Sequence, residues 1–314
     1  MGLGRGSLRI LVTGCNGFIG SHLVPALLER GYDVIGMDLK GTFENGNLGS
    51  VRNKIQALEA DIRQYDSLQR IDVGAVDFVH HLAAIASPGV CNARPNEAYD
   101  TNVYGVFNVM RFAKGHNVKK VVFTSSSHVY GISPRYVPTP EIQPVWLQED
   151  TYTSTKIIGE YIVRLFYENY SIPYTTVRLF NCYGPGQTTD YLIPAKIAEG
   201  LNTGVIRLRG RLVKKDFVYI SDVINAYVRL LESDYVGEMN VGSGVSVTLE
   251  TVVSHIAKEL GVELTFLADN DPVTFMQCDT SRSKKVLGWE AKVPLERGIA
   301  MTVESMRRLR GASR

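Results

Sequence analysis

Apolar positions along the first half of the chain follow two alternating rhythms. Short unbroken apolar runs are separated by longer stretches in which apolar residues recur every three or four positions. Leu8-Arg9-Ile10-Leu11-Val12-Thr13 is the first run and predicts a buried strand. Phe18 to Arg30 has the helical spacing and stops at Gly31. The strand signature returns at Asp33–Met37, Lys54–Leu58, Val76–His80, Lys120–Thr124 and Tyr174–Leu179, and the helical one at Asn96–Lys114 and Asp150–Tyr170. Strands and helices alternating at this spacing build βαβ units. Their right-handed crossovers give a doubly wound parallel α/β sheet.

After Tyr183 the rhythm changes. Gly184-Pro185-Gly186 marks a turn, and helices are expected at Tyr191–Leu201, Ser221–Glu232, Leu249–Leu260 and Pro294–Arg308, with short strands between them. This pattern divides the chain into a sheet domain over 1–183, with a return segment at about 216–241, and a smaller C-terminal α/β lobe made of 184–215 and 242–314. A length of 314 residues suits one large domain or two intimate ones.

Composition narrows the function classes. Hydrophobic residues make up 45% and charged residues 21%, an ordinary globular balance. A net charge of +2 gives no strong field for nucleic acid or for a membrane surface. Cys15, Cys91, Cys182 and Cys278 are far apart and form no CxxC pair, so neither a metal site nor a disulfide framework is expected. That usage fits a reducing compartment, and the expected location is the cytoplasm. No apolar run is long enough to span a bilayer, and no signal-peptide core precedes the first strand. The glycine-rich opening Met1–Ser7 is expected to fray, and Gly6 stands where a myristoylation signal needs Ser or Thr. Arg307-Arg308-Leu309-Arg310 reads as a solvated helix end.

The candidate chemistry lies in the sheet domain. Gly14-Cys15-Asn16-Gly17-Phe18-Ile19-Gly20 is a GxxGxxG run between the first strand and the first helix. Glycines there allow a tight turn and a close backbone approach, and the helix N-terminus offers N–H donors and a positive dipole to a pyrophosphate. By itself such a run also fits a plain structural turn; the strand before it and the helix after it favour a dinucleotide. Asp38, at the end of the second strand, can accept from both ribose hydroxyls and would repel a 2′-phosphate, which favours NAD, although Lys40 lies nearby. Asp61, followed by Ile62, is either a second contact to the cofactor or a turn cap. Tyr152 and Lys156 form a YxxxK pair on one helix face. An ammonium one turn away lowers a phenol's pKa from its usual ~10 and makes the phenolate a usable base. Ser125-Ser126-Ser127-His128 follows a buried strand, where small hydroxyl residues meet ligands or cap turns.

Together these residues resemble the extended short-chain dehydrogenase/reductase family, most of all its nucleotide-sugar epimerases and dehydratases. The resemblance runs from about Arg9 to Gly244. Besides the glycine run, Asp38, Asp61-Ile62 and Tyr152/Lys156, its marks are His81-Leu82-Ala83-Ala84, Asn102 in Thr101-Asn102-Val103-Tyr104-Gly105, Ser126 ahead of Tyr130, and Arg178-Leu179-Phe180-Asn181-Cys182-Tyr183-Gly184-Pro185-Gly186. Asp216-Phe217-Val218-Tyr219-Ile220-Ser221-Asp222-Val223 and Asn240-Val241-Gly242 complete it, with a weaker extension through Asp279-Thr280-Ser281 and Leu287-Gly288-Trp289. The resemblance implies a Rossmann sheet, bound NAD and a nucleotide-diphosphate sugar as substrate. It implies that Tyr152 is the acid/base, that Lys156 holds the nicotinamide ribose and that Ser126 binds the reacting hydroxyl. It places Gly14, Gly17, Phe18, Ile19, Gly20, Asp38, Asp61, Ile62, Leu82, Ala83, Ala84 and Asn102 on the cofactor, and Ser126, Ser127, His128, Asn181 and Lys215 on the substrate. A homodimer through the two long helices is also implied.

Two departures shape the functional reading. The dehydratases carry Asp-Glu, and the decarboxylases a Glu, where this chain has Ser127 and His128, so no carboxylate stands there to move a proton at C5 or C6. His128 is either a polar pocket wall or an acid/base group near neutral pH. At Asp269-Asn270-Asp271-Pro272 relatives often have an arginine for a substrate phosphate; here Lys215, Lys214, Arg211 or Arg209 would have to serve. The expected function is a nucleotide-sugar 4-epimerase. A 4-dehydrogenase or 4-ketoreductase, an atypical dehydratase using His128, and a non-catalytic dinucleotide sensor are the alternatives.

Overall fold

The computed structural model describes residues 7–44, 46–69, 73–145, 150–268 and 274–312. Most of the expected frayed opening, and the stretch Asp269–Pro272, lie outside them. In chain order the elements are β1 (Arg9–Thr13), α1 (Phe18–Glu29), β2 (Asp33–Asp38), β3 (Gln56–Glu59), α2 (Tyr65–Gln69), β4 (Phe78–His81), α3 (Pro88–Ala93), α4 (Pro95–Tyr99), α5 (Gly105–Gly115), β5 (Lys120–Ser126), α6 (Thr151–Tyr170) and β6 (Tyr174–Leu179). There follow β7 (Asn181–Tyr183), α7 (Leu192–Thr203), β8 (Val205–Leu208), β9 (Lys214–Tyr219), α8 (Ile220–Leu231), β10 (Gly237–Val241), β11 (Ser246–Thr248), α9 (Leu249–Leu260), β12 (Glu263–Phe266), α10 (Ser281–Leu287) and α11 (Leu295–Ala312). The chain divides into two compact units, one of residues 1–129, 147–178 and 224–239, the other of 130–146, 179–223 and 240–314.

A seven-stranded sheet in the order β10-β6-β5-β4-β1-β2-β3 organises the first unit. Its strands β3, β2, β1, β4 and β5 pair in parallel, with Ile10 opposite both Val34 and Phe78. The chain starts at β1, moves outward to β3 and returns to β4 on the other side, so the strand order reverses between β1 and β4. That switch point leaves a crevice at the carboxyl ends of the two strands, where ligands of such sheets bind. The core joins Leu11, Ile35, Val79, Val121 and Phe123 of the strands to Val106, Val109 and Met110 of α5 and Val163 and Phe166 of α6.

The long helix expected over Asn96–Lys114 is not continuous. α4 passes into a π-helical turn at Asp100–Tyr104 before α5 begins. Two contacts explain the interruption. Asn102 within the turn bonds the backbone of Ile85, and Gly105 packs so closely that a Cβ there would lie 2.5 Å from Cδ1 of Ile62. α6 is uninterrupted. Asp150 caps it by accepting from the Thr153 N–H at 2.8 Å, and Ser171 ends it in the left-handed conformation.

In the second unit β11-β9-β7 form a three-stranded sheet and β12-β8 a parallel pair. Thr248 caps α9 through the Thr251 N–H at 3.0 Å, and Gly204 and Gly261, both left-handed, end α7 and α9. Residues 130–146 also belong here, tied in by the Thr139 N–H on the Gln277 carbonyl at 2.7 Å. Four prolines in that segment, Pro134, Pro138, Pro140 and Pro144, suppress any periodicity that could have shown its place. No described helix is long and apolar enough to cross a membrane.

Candidate functional site

The three glycines of the first crossover play different parts. Gly14 adopts a left-handed φ of +69°, and a Cβ on it would lie 2.8 Å from the Ala83 nitrogen, so this turn packs directly on the segment after β4. A Cβ on Gly20 would lie 2.2 Å from the Gly14 carbonyl oxygen, which is what lets α1 sit against the turn. Gly17 is exposed and would meet only the Gly14 oxygen, at 3.3 Å. It is the N-cap of α1, with no side-chain cap and no acidic residue in the first turn. The first-turn N–H groups therefore have no partner inside the helix and present a positive end where the backbone is most open. Gly20→Ala is expected to lose about 3 kcal/mol of stability, because both sides of the clash are backbone. Gly17→Ala is expected to lose about 1 kcal/mol as a poorer cap, yet to weaken dinucleotide binding. Urea midpoints and dinucleotide dissociation constants for the two variants check this; equal stability of Gly20→Ala and the parent would refute the packing argument.

Asp38 closes β2 beside this turn. Its carboxylate accepts the Asn16 N–H on Oδ2 and the Leu39 N–H on Oδ1, both at 2.8 Å, so it is aimed by backbone and keeps lone pairs toward the partly exposed side. An open glycine at a bare helix N-terminus with a fixed carboxylate alongside fits a dinucleotide: pyrophosphate on the helix, ribose hydroxyls on the acid. Ile62 is buried, while Phe18, Ile19, Leu82, Ala83 and Ala84 are half-buried along the crevice.

Two of the expected cofactor residues are engaged within the protein. Asp61 is held by Arg63 through Nη2 at 2.6 Å and Nε at 2.9 Å, and accepts the Arg63 N–H at 2.9 Å. Partial burial alone would raise its pKa, but the bonds to Arg63 outweigh that and hold the carboxyl below its ordinary value. This is the turn-capping geometry. Asn102 is 1% exposed. Its amide bonds both the N–H and the carbonyl of Ile85 at 2.9 Å and donates to Thr155 Oγ1 at 3.1 Å, and Thr155 in turn donates to the Tyr152 carbonyl at 2.8 Å. The segment after β4 is thereby tied to the helix that carries Tyr152.

β5 and α6 bring the expected chemistry together. Lys156 is 5% exposed; its Nζ donates to the Thr124 carbonyl at 2.9 Å and lies 5.9 Å from the centre of the Tyr152 ring and 5.3 Å from that of Phe123. Burial pulls its pKa down to about 8, against the pull of Cys91 and Glu160 in the other direction. Ser126 and Ser127 are buried at the end of β5, and Ser126 Oγ accepts the His128 N–H at 3.2 Å. The His128 ring stands edge-on to Tyr152, with centroids 5.8 Å apart at 86°. Among the described residues no three His, Cys, Asp or Glu side chains are grouped to hold a metal.

In the second unit Asn181 and Lys215 lie on neighbouring strands of the β11-β9-β7 sheet. The Asn181 amide donates to the Asp216 carbonyl at 2.8 Å. Asp216 is anchored by N–H groups of Ser243 at 2.7 Å, Gly244 at 2.9 Å and Cys278 at 3.0 Å. The Lys215 side chain has no hydrogen-bond or carboxylate partner among the described residues, and burial lowers its pKa.

Sequence reasoning passed over Glu160. It lies on the face of α6 that carries Tyr152 and Lys156, where it pairs with Arg178 and accepts from Ser125. The signal was present as a third member of the i, i+4, i+8 stripe and as a lone arginine inside an apolar strand.

Known proteins share this architecture along nearly the whole chain. A putative UDP-glucose 4-epimerase of Methanocaldococcus jannaschii is 31% identical over 95% of this chain and 98% of its own length. UDP-glucuronic acid decarboxylase 6 of Arabidopsis thaliana is 30% identical over 96% of this chain and 90% of its own. The crystal structure of a UDP-glucose 4-epimerase from Thermotoga maritima, solved with UDP-glucose, superimposes with a TM-score of 0.87 at 30% identity, covering 96% of this chain and 99% of that one. The profile of the NAD-dependent epimerase/dehydratase family matches residues 10–242. With the dinucleotide cradle of β1 and α1 inside that match, this chain belongs to the NAD-dependent epimerase/dehydratase family, and NAD is its cofactor.

Proposed function

We propose that this chain is a nucleotide-sugar 4-epimerase. One observation carries the reading: Tyr152 and Lys156 stand together beside the end of β5, and the stretch Ser125–His128 that faces this pair holds no carboxylate. Two of the three relatives described above are named UDP-glucose 4-epimerases, which supports a UDP-sugar as substrate.

Tyr152 takes the proton of the C4 hydroxyl, directly or through Ser126, and later returns it. Lys156 supplies the positive charge that makes the phenolate accessible near neutral pH. NAD, which Gly17, the first turn of α1 and Asp38 would hold, would supply reversible hydride chemistry at C4 of the sugar. Holding the sugar against these groups removes several kcal/mol from the barrier by proximity alone. Gly17 and the first turn of α1 receive the pyrophosphate of the cofactor, and Asp38 its adenosine ribose. Asn181 and Lys215 are assigned to the diphosphate of the substrate.

The test is direct. Purified enzyme is incubated with UDP-, GDP-, CDP- and dTDP-sugars, and products are resolved for inversion at C4. Interconversion of UDP-glucose and UDP-galactose without net change in reduced cofactor is the expected result. Retention of configuration in every sugar would end the epimerase reading. The edge-on contact of His128 with Tyr152 favours a second reading, an atypical dehydratase in which His128 moves a proton; loss of one water by mass, abolished by His128→Ala, would select it.

A homodimer is part of the proposal. Tyr104 and Phe107, next to and on α5, and Tyr161, Leu165 and Tyr170 on α6 are exposed, an apolar set that pairing with a second copy would cover. Light scattering of the purified protein decides its oligomeric state.

A further inference from the structure

We propose that Glu160 is a positioning residue for this site: from a buried ion pair it fixes the end of β5 against α6 and sustains the charge on Lys156. The inference rests on the assignment of Tyr152 and Lys156 as the reacting pair.

Three elements meet at its carboxylate. Ser125 of β5 donates to Oε1 at 2.5 Å, and Arg178 of β6 donates through Nε at 3.1 Å and through Nη2 to Oε2 at 2.8 Å. The two charged side chains are only 7% and 10% exposed. Ser125 immediately precedes Ser126, and Glu160 lies one turn beyond Lys156 and two beyond Tyr152. One carboxylate therefore sets the height of the serine strand end against the face that carries the phenol and the ammonium. Stability is a weak reason for such a pair, because apolar residues of the same volume usually serve as well.

Charge supplies the second part of the argument. Lys156 is buried, and burial disfavours its ammonium. The titratable and charged groups around it come from each packed element. Cys91 faces it from α3, His81 from β4, and Tyr152 and Glu160 from α6. From β5 it meets the uncharged Thr124 and Phe123, and Arg178 of β6 is paired to Glu160. Burial pushes the Cys91 thiol up and the His81 imidazole down, so both are neutral around pH 7. Among the described residues that leaves the Glu160 carboxylate as the standing negative charge that keeps Lys156 protonated.

The test follows the lysine directly. In NAD-loaded enzyme the ¹³Cε resonance of Lys156, assigned with Lys156→Met, is titrated with pH. Glu160→Gln is expected to lower its midpoint by at least about half a pH unit, roughly a threefold loss of proton affinity. Glu160→Asp, which keeps the charge, is expected to shift it less. The alkaline limb of kcat/KM for UDP-glucose is expected to move down with the midpoint. If Glu160→Gln does not fold, Arg178→Gln, which removes the countercharge and leaves the Glu160 carboxylate to act alone, is expected to raise the midpoint. A folded variant whose midpoint stays in place, or one whose rate falls equally at every pH, would overturn the proposal. If the midpoint moves and UDP-glucose is inert, the positioning role stands and the UDP-glucose 4-epimerase reading falls.

Discussion

In the proposed 4-epimerase reaction, Tyr152→Phe is expected to cut turnover about 10²–10⁴-fold, the range typical of a lost general acid/base. The phenyl ring should keep its place. Tyr152 is 8% exposed, clusters with Cys91 and Ala98, and meets His128 edge-on, and none of these contacts needs the hydroxyl. Thermal stability and bound NAD, measured alongside, tell a loss that falls on kcat from one that falls on folding. Lys156→Met should lose activity on a similar scale, since the phenol would then titrate without a neighbouring ammonium. Steady-state rates, cofactor content and melting temperature, measured on one preparation, separate these effects. A Tyr152→Phe enzyme that kept more than a tenth of the parent rate would remove the phenol from the mechanism.

The second large effect concerns stability in mild acid. His80 and His81 are completely buried on β4, and burial pulls both imidazoles from an ordinary 6.5 down to about 3. His81 shares a 2.7 Å hydrogen bond with Thr13, whereas neither ring nitrogen of His80 has a hydrogen-bond partner among the described residues; that ring stacks on Tyr227 with centroids 5.7 Å apart. Both are neutral in the folded protein. Their folded pKa lies below the unfolded one, so the stability they contribute is complete above about pH 6.5 and is lost as pH falls toward 3. At pH 5 each unfolded imidazole gains about 2 kcal/mol from protonation, and the pair costs the fold about 4 kcal/mol. That is a large share of the ~5–15 kcal/mol that usually holds a domain together. Glu141 and Asp216, whose carboxyls burial raises, act in the opposite sense at lower pH. The comparison is therefore best made within one pH series. His80→Phe keeps the stacked ring, removes an unpartnered buried N–H and should be about 2 kcal/mol more stable than the parent at pH 5. Urea unfolding at pH 8, 6.5 and 5 measures it, and a variant with the parent's pH slope would show that His80 does not carry the effect.

Much of this protein can be read along the chain because its periods are local. Strands β1, β2, β5 and β6 follow from runs of apolar and β-branched residues, and α1 and α6 from apolar residues three and four apart. The parallel sheet follows from their alternation, since the right-handed crossover leaves few topologies. Tyr152 and Lys156 share a helix face because 3.6 residues make a turn, and Gly14 and Gly20 lie where a backbone must approach another backbone. Boundaries were less legible. β4 runs over Phe78–His81 rather than Val76–His80, because pairing with β1 and β5, not hydrophobicity, sets where a ladder ends.

What the sequence by itself determined was the alternating α/β order, the dinucleotide turn and the pairing of a phenol with an ammonium. Tertiary structure decided the rest: that Asn102 breaks a helix to hold Ile85, that Arg63 claims Asp61, that Glu160 meets Arg178 and Ser125, and that two adjacent histidines are buried. The physical reason is range. A turn, a cap or a helix face is set by neighbours within one or two turns, whereas desolvation and ion pairing depend on groups brought close only when distant segments pack.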